Sequence, residues 1–149
     1  MFTATLALLV LIMSPNFSFS GESACSCLSR VPSDASVSRK VKYERSKSKV
    51  VFSGQVLEIS ERSINGSQEN VVTFRVIESW KRVRTNTVKV VTPRPTPASC
   101  GYEFRVGASY LVYVQYEEDK DFWTGICSRT MELAKAAEDL RILGKGKMF

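Results

Sequence analysis

The sequence predicts a mainly β domain, with about five short strands coiled into a closed barrel, a short helix before them and an amphipathic helix after them. Three observations lead there. From Val50 onward apolar residues recur at every second position, the period of a half-buried strand. Turn and breaker residues cut that stretch into short pieces. After Met131 the apolar spacing lengthens to that of a helix. Closure is expected because it removes the exposed edges of a small sheet. A β-sandwich is the alternative.

The chain begins with an almost unbroken apolar run, Phe2 to Met13, interrupted by Thr3 and Thr5. It is too short for an ordinary transmembrane helix and fits the apolar core of a secretion signal, although no Lys or Arg precedes it. Ser14 to Ala24 then supplies mostly small and polar residues. Residues 1–24 are therefore expected to be a signal peptide, and 25–149 a single domain. Ser18 and Ser20 make a good small-x-small site for cleavage after Ser20. Gly21 and Ser23 allow cleavage after Ser23. Cleavage after Ala24 places Glu22 three residues before the bond, a poor choice. The expected location is extracellular, or periplasmic in a bacterial host, with no membrane span. Glu22 also spoils a lipid-anchor reading of Cys25.

Pro32 bars a helix from Ser29 to Ser36, after which Ser33-Asp34 can cap a short helix carrying Val37 and Val41 on one face. This region is strongly basic. The first strand places Phe52, Gly54 and Val56 on one face, and Gly54 suggests a bulge or sharp coil. Asn65-Gly66 is a turn signal. The second strand directs Val72, Phe74 and Val76 inward. Thr87 to Thr92 forms a third, and the proline-rich Pro93-Arg94-Pro95-Thr96-Pro97 a stiff loop. Ser109 to Tyr116 is a fourth strand, and Phe122 to Cys127 a short last one. From Met131 to Leu143, Leu133, Ala136, Ala137, Leu140 and Leu143 share a helical face, with Thr130 as the cap and Gly144 at the end. A five-stranded OB-type barrel meets this description.

Cys25, Cys27, Cys100 and Cys127 are the four cysteines. In an exported domain an even number reads first as a disulfide framework. Cys25 and Cys27 are too close to bond each other, which leaves one crossed and one nested pairing. A zinc site on all four thiolates is the rival, but the paired C-x-x-C spacing is missing. There is no histidine. That weighs against a zinc hydrolase, a Ser-His-Asp triad and a Cys-His dyad, and no enzymatic constellation is visible. No cofactor is expected. The formal net charge is +6, so the surface attracts polyanions. A merely solvated basic face is the plain alternative, and specific nucleic-acid binding is not expected.

Cys25-Ser26-Cys27 near a mature N-terminus resembles the Cys-x-Cys start of the tissue inhibitors of metalloproteinases. Val51-Phe52-Ser53-Gly54-Gln55-Val56 is similar to their first barrel strand. Ser99-Cys100-Gly101, Gly107-x-x-Tyr110-Leu111-Val112 and Ile126-Cys127-Ser128-Arg129-Thr130 resemble later segments, particularly of short bacterial members. The resemblance covers about Cys25 to Gly144. It implies a netrin-like module on an OB-type barrel, with pairs Cys25–Cys100 and Cys27–Cys127. It also implies a mechanism. The free amine and the carbonyl of Cys25 would chelate the catalytic zinc of a target protease, making Cys25 a metal ligand in trans. Ser26 would enter the adjacent specificity pocket, Cys27 would hold the stub, and Ala98 and Ser99 would fill neighbouring subsites. The family's third disulfide of this domain and the second domain of its animal members are missing here.

The expected function is therefore a secreted, monomeric inhibitor of zinc metalloendopeptidases. The alternative is a non-inhibitory netrin-like binding module whose basic face takes polyanionic, matrix or envelope partners. Trp80 and Trp123 are expected in the core or at a barrel end. Lys81, Arg82 and Arg84 are expected in a solvated loop. Asn65-Gly66-Ser67 is a glycosylation sequon on an exposed turn.

Overall fold

The computed structural model describes residues 25–149. The apolar opening segment and the three candidate cleavage positions lie outside these residues. Among the described residues the protein is mainly β: eight strands in one sheet and two α-helices. The strands are β1 (Val50–Ile64), β2 (Ser67–Lys81), β3 (Thr87–Pro93), β4 (Ser109–Val114), β5 (Tyr116–Glu118), β6 (Asp121–Trp123), β7 (Met131–Glu132) and β8 (Lys147–Met148). The helices are α1 (Val37–Lys47) and α2 (Ala137–Leu143).

The ladder runs β5-β6-β3-β2-β1-β4-β7, with β8 added to β2. It has two ends and is not closed into a barrel by hydrogen-bonded strands. β1 and β2 are each 15 residues long and meet at the Asn65-Gly66 turn. Both turn residues take positive φ, 50° and 83°, the conformation that a two-residue hairpin turn demands. Among the described residues only β3 and β6 pair in parallel.

Period-two alternation in β1 and β4 feeds two cores. Val50, Phe52, Val56, Tyr110, Val112 and Val114 face the cluster completed by Val72, Phe74, Val90 and Phe104. There Phe52 and Phe74 meet edge to face at 5.3 Å, and Phe104 and Tyr110 at 4.9 Å, a favourable quadrupolar geometry. Val51, Leu111 and Tyr113 point the other way, to Val41 of α1 and to Trp80, Ala136 and Leu143. The helices thus cover one face of the sheet. The Trp80 indole N–H donates to the Gly144 carbonyl at 2.6 Å, so this buried aromatic is satisfied. Trp123 stacks on Tyr116 at 5.8 Å.

Several boundaries differ from the sequence expectation. Helix α1 is capped by Ser36, whose hydroxyl accepts from the Arg39 N–H, and not by Ser33 or Asp34. The helix expected from Met131 begins only at Ala137. Met131 and Glu132 pair instead with Leu111 and Tyr110 of β4, and Leu133–Lys135 forms a 3₁₀ turn. Thr130 cannot cap a helix because its hydroxyl accepts the Tyr113 N–H at 3.0 Å. Ala137 is exposed while Ala136 is buried. The strand expected from Phe122 to Cys127 is β6, which ends at Trp123; the Thr124 N–H still donates to the Val91 carbonyl at 3.0 Å and its hydroxyl to the Tyr113 carbonyl at 2.9 Å, after which the chain turns.

Gly54 lies where the β1–β2 register shifts. A Cβ there would sit 2.8 Å from the Arg75 carbonyl oxygen and 3.1 Å from the Phe52 ring. Gly54→Ala is therefore expected to destabilise the protein by about 1–3 kcal/mol. Urea unfolding with an unchanged m-value checks this, and a wild-type midpoint would refute it.

Candidate functional site

Cys25 to Arg30 forms neither helix nor strand. Such a segment has no ladder to hold it, and two covalent links do so instead. Cys25 is paired with Cys100 and Cys27 with Cys127, with Cα–Cα distances of 5.2 Å in both pairs. The links close sequence separations of 75 and 100 residues. By loop-closure entropy each is worth roughly 4–5 kcal/mol against the unfolded chain. The two bridges touch, with the Sγ atoms of Cys25 and Cys127 3.8 Å apart.

The loops that receive the bridges are themselves joined. The Ile126 N–H donates to the Cys100 carbonyl at 2.9 Å. Gly125 permits this approach, because a Cβ there would collide with the Cys100 carbonyl oxygen. Gly101 is needed likewise beside the Pro93 carbonyl. The Ser99 hydroxyl organises the proline-rich loop. It donates to the Arg94 carbonyl at 2.7 Å and accepts the Thr96 N–H at 3.0 Å. Thus Ser99 is turned into its own loop, while Ala98 next to it is exposed. Ser26 is exposed between the two bridged cysteines. Leu28 follows with 97% of its surface free. Sequence reading gave Leu28 no role, yet it is an apolar residue on no periodic face, directly after a cross-linked cysteine.

Behind this segment lies a polar cluster that was not expected. Arg129, two residues past Cys127, donates to both oxygens of Asp139 on α2, at 2.9 and 2.6 Å. The Tyr113 hydroxyl donates to the same carboxylate at 3.0 Å. Asp139 is buried and Arg129 largely so, which makes this a fully hydrogen-bonded interior ion pair. Burial, then the Asp139 charge, pushes the Tyr113 phenol far above its ordinary range. Glu44 of α1 faces the same cluster, and desolvation raises its carboxyl against the opposing pull of Arg129. Asp139 was legible only as one of three charged residues in α2, beside Glu138 and Arg141. A cavity of about 750 Å³ opens beside it, lined by Leu28, Val31, Tyr43, Glu44 and Arg129 among others.

The Sγ atoms of Cys25, Cys100 and Cys127 lie within 4.8 Å of one another. Bridged in pairs, these sulfurs lack the thiolate charge through which cysteine binds zinc. Among the described residues no helix is long and apolar enough to cross a membrane. No family model matches the chain, and no curated protein matches it.

The Tyr113 shift has a definite sign. An unfolded tyrosine ionises near pH 10, whereas the folded phenol holds its proton. Above about pH 10 the unfolded chain binds fewer protons than the native one, so stability falls as pH rises. Tyr113→Phe is expected to cost about 1–2 kcal/mol at neutral pH and to flatten this alkaline decline. Tyr102 and Tyr116, raised by burial as well, leave part of the slope in place. Thermal unfolding from pH 7 to 11 checks both effects, and an unchanged alkaline limb would refute the assignment.

Proposed function

We propose that the protein is a secreted inhibitor of zinc metalloendopeptidases, acting through an N-terminus freed at Cys25. One observation carries the reading: the exposed segment that runs from Ser26 to Arg30 is cross-linked, through Cys25 and Cys27, to two loops that are themselves hydrogen-bonded together. Such a segment is ordered before it meets a partner, which lowers the entropic cost of docking. A terminal amine has a reference pKa of about 7.7–8.0 and is easily neutral near physiological pH. The neutral amine and the Cys25 carbonyl can then occupy the open position of a catalytic zinc. Ser26 projects into the adjoining specificity pocket. Leu28 supplies apolar contact beyond Cys27, and Ala98 contributes from the neighbouring loop that Ser99 shapes.

The same reading takes the sheet as a coiled barrel of OB type within a netrin-like module. Gln115 alone separates β4 from β5, strands near opposite ends of the ladder, and its N–H donates to the Trp123 carbonyl at 2.8 Å. This supports closure through chain continuity where no strand ladder runs.

The test begins with mass spectrometry of the secreted product, where the expected first residue is Cys25. Any residue retained before it would convert the amine to an amide and overturn the proposal, leaving a non-inhibitory binding module. Titration against a zinc endopeptidase follows. N-acetylation of the Cys25 amine is expected to weaken inhibition by roughly a hundredfold, about 2.7 kcal/mol. Equal inhibition by the acetylated protein would refute chelation.

A further inference from the structure

Three sulfurs meet where the two bridges cross. The Sγ atoms of Cys25, Cys100 and Cys127 share a space no wider than 4.8 Å. Cys25 is bonded to Cys100, and the Cys127 sulfur of the other bridge stands 3.8 Å from the Cys25 sulfur. This is direct contact between the sulfurs of two different disulfides. Exchange proceeds by the approach of a thiolate to a disulfide sulfur, so Cys127 is already placed as the attacking group once its own bond opens. The Cys27 sulfur lies outside this group of three. Cys27 is also the exposed half-cystine, whereas Cys25, Cys100 and Cys127 are half-buried.

The backbones that carry Cys100 and Cys127 do not rely on the bridges for their spacing. The hydrogen bond from the Ile126 N–H to the Cys100 carbonyl ties the residue before Cys127 to Cys100 itself. On the other side of Cys127, the Ser128 hydroxyl donates to the Gly125 carbonyl at 2.9 Å and accepts the Thr130 N–H at 3.1 Å. Before Cys100, Ser99 is fixed by its bonds to Arg94 and Thr96. Opening one bridge therefore leaves the Cys127 sulfur beside the surviving one. Cys25 and Cys27 belong to no helix or strand, so their segment can follow whichever loop it is bonded to.

We propose that this sulfur cluster is a site of thiol–disulfide exchange, in which a small thiol caps Cys27 and the Cys25 cross-link moves from Cys100 to Cys127. The thiolate of the small molecule attacks the exposed Cys27 sulfur. A bond forms between the two, the Cys27–Cys127 bond breaks, and its electron pair leaves on the Cys127 sulfur. That thiolate then attacks the Cys25 sulfur it touches. The Cys25–Cys127 bond forms, the Cys25–Cys100 bond breaks, and Cys100 departs as a thiolate that takes a proton from water. Two disulfides and one thiolate enter and the same number leave, so the step needs no oxidant. Its product carries the small thiol at Cys27 and a free thiol at Cys100, and the loop bearing Ala98 is released from the segment. The exchange proceeds whatever residue precedes Cys25, so it stands independently of the inhibitory reading.

The experiment uses the intact disulfide-bonded protein and reduced glutathione as the probe, at about pH 8, where a free thiol begins to ionise. The reaction is stopped with acid, free thiols are labelled with a maleimide, and the unreduced peptides are mapped by mass spectrometry. The expected product has glutathione on Cys27, a Cys25–Cys127 cross-link and the label on Cys100. Label on Cys127 with Cys25–Cys100 intact at every time point would overturn the proposal. So would resistance of both bridges to glutathione, or a mixture that includes Cys25–Cys27, the mark of exchange in an unfolded chain. Cys27→Ser frees Cys127 without any added thiol. It is expected to hold both the Cys25–Cys100 and the Cys25–Cys127 forms, with Cys100 labelled at least about tenfold more than in Cys127→Ser, where Cys27 takes the label. Equal labelling of Cys100 in the two variants would refute the transfer, and if either variant fails to fold the wild-type map decides.

Discussion

Burial on both faces of β4 and of the first half of β1, Val50 to Val56, is the constraint on which the rest of the molecule rests. Val50, Phe52, Val112 and Val114 are fully enclosed on one side, Val51, Leu111 and Tyr113 on the other. Strands of this kind cannot slip by one residue, since every side chain would change faces. Their register therefore fixes where the following segments emerge. Beyond β4 the chain enters β5 through Gln115. From the other face of β4, Tyr113 reaches Asp139 and so positions α2 and the segment after Cys127.

The Cys25–Arg30 segment inherits its position from this frame. Its first anchor follows the proline-rich loop that leaves β3. Its second lies in the segment held by Arg129 and by the Tyr113–Thr124–Thr130 hydrogen bonds. Close packing at Gly101 and Gly125 brings the two anchors together. The exposed residues 26 and 28 thus stand on a rigid base although they belong to no regular element. Buried carboxylates such as Asp139 are tolerated because each oxygen has a donor.

Much of this was legible in the residues. Alternation at Phe52–Val56 and Val72–Val76, the Asn65-Gly66 turn and the apolar face of α1 all follow from local periods, and the structure has them. The failures share one cause, which is tertiary competition for a local signal. Thr130 looks like a helix cap, but the backbone of Tyr113 claims its hydroxyl. Met131 opens the expected helix, but the edge of β4 recruits it as a strand. Asp139 disrupts an apolar face only until Arg129, ten residues earlier, is brought beside it. Short edge strands such as β7 and β8 carry too few residues to show a period. For the site, Cys25 and Cys27 announced themselves by spacing, whereas the exposure of Leu28 depends on how the cross-links hold the chain.

The interleaving of the two bridges has a consequence for survival among proteases. Cys25 is tied to Cys100 and Cys27 to Cys127, so every backbone position between Cys25 and Cys127 is spanned by at least one link. A single scission anywhere in that interval, including the exposed tip at Asn65-Gly66, leaves both fragments attached. A nicked molecule sheds nothing and keeps the ends of the cut near each other, where the intact sheet can hold them in place.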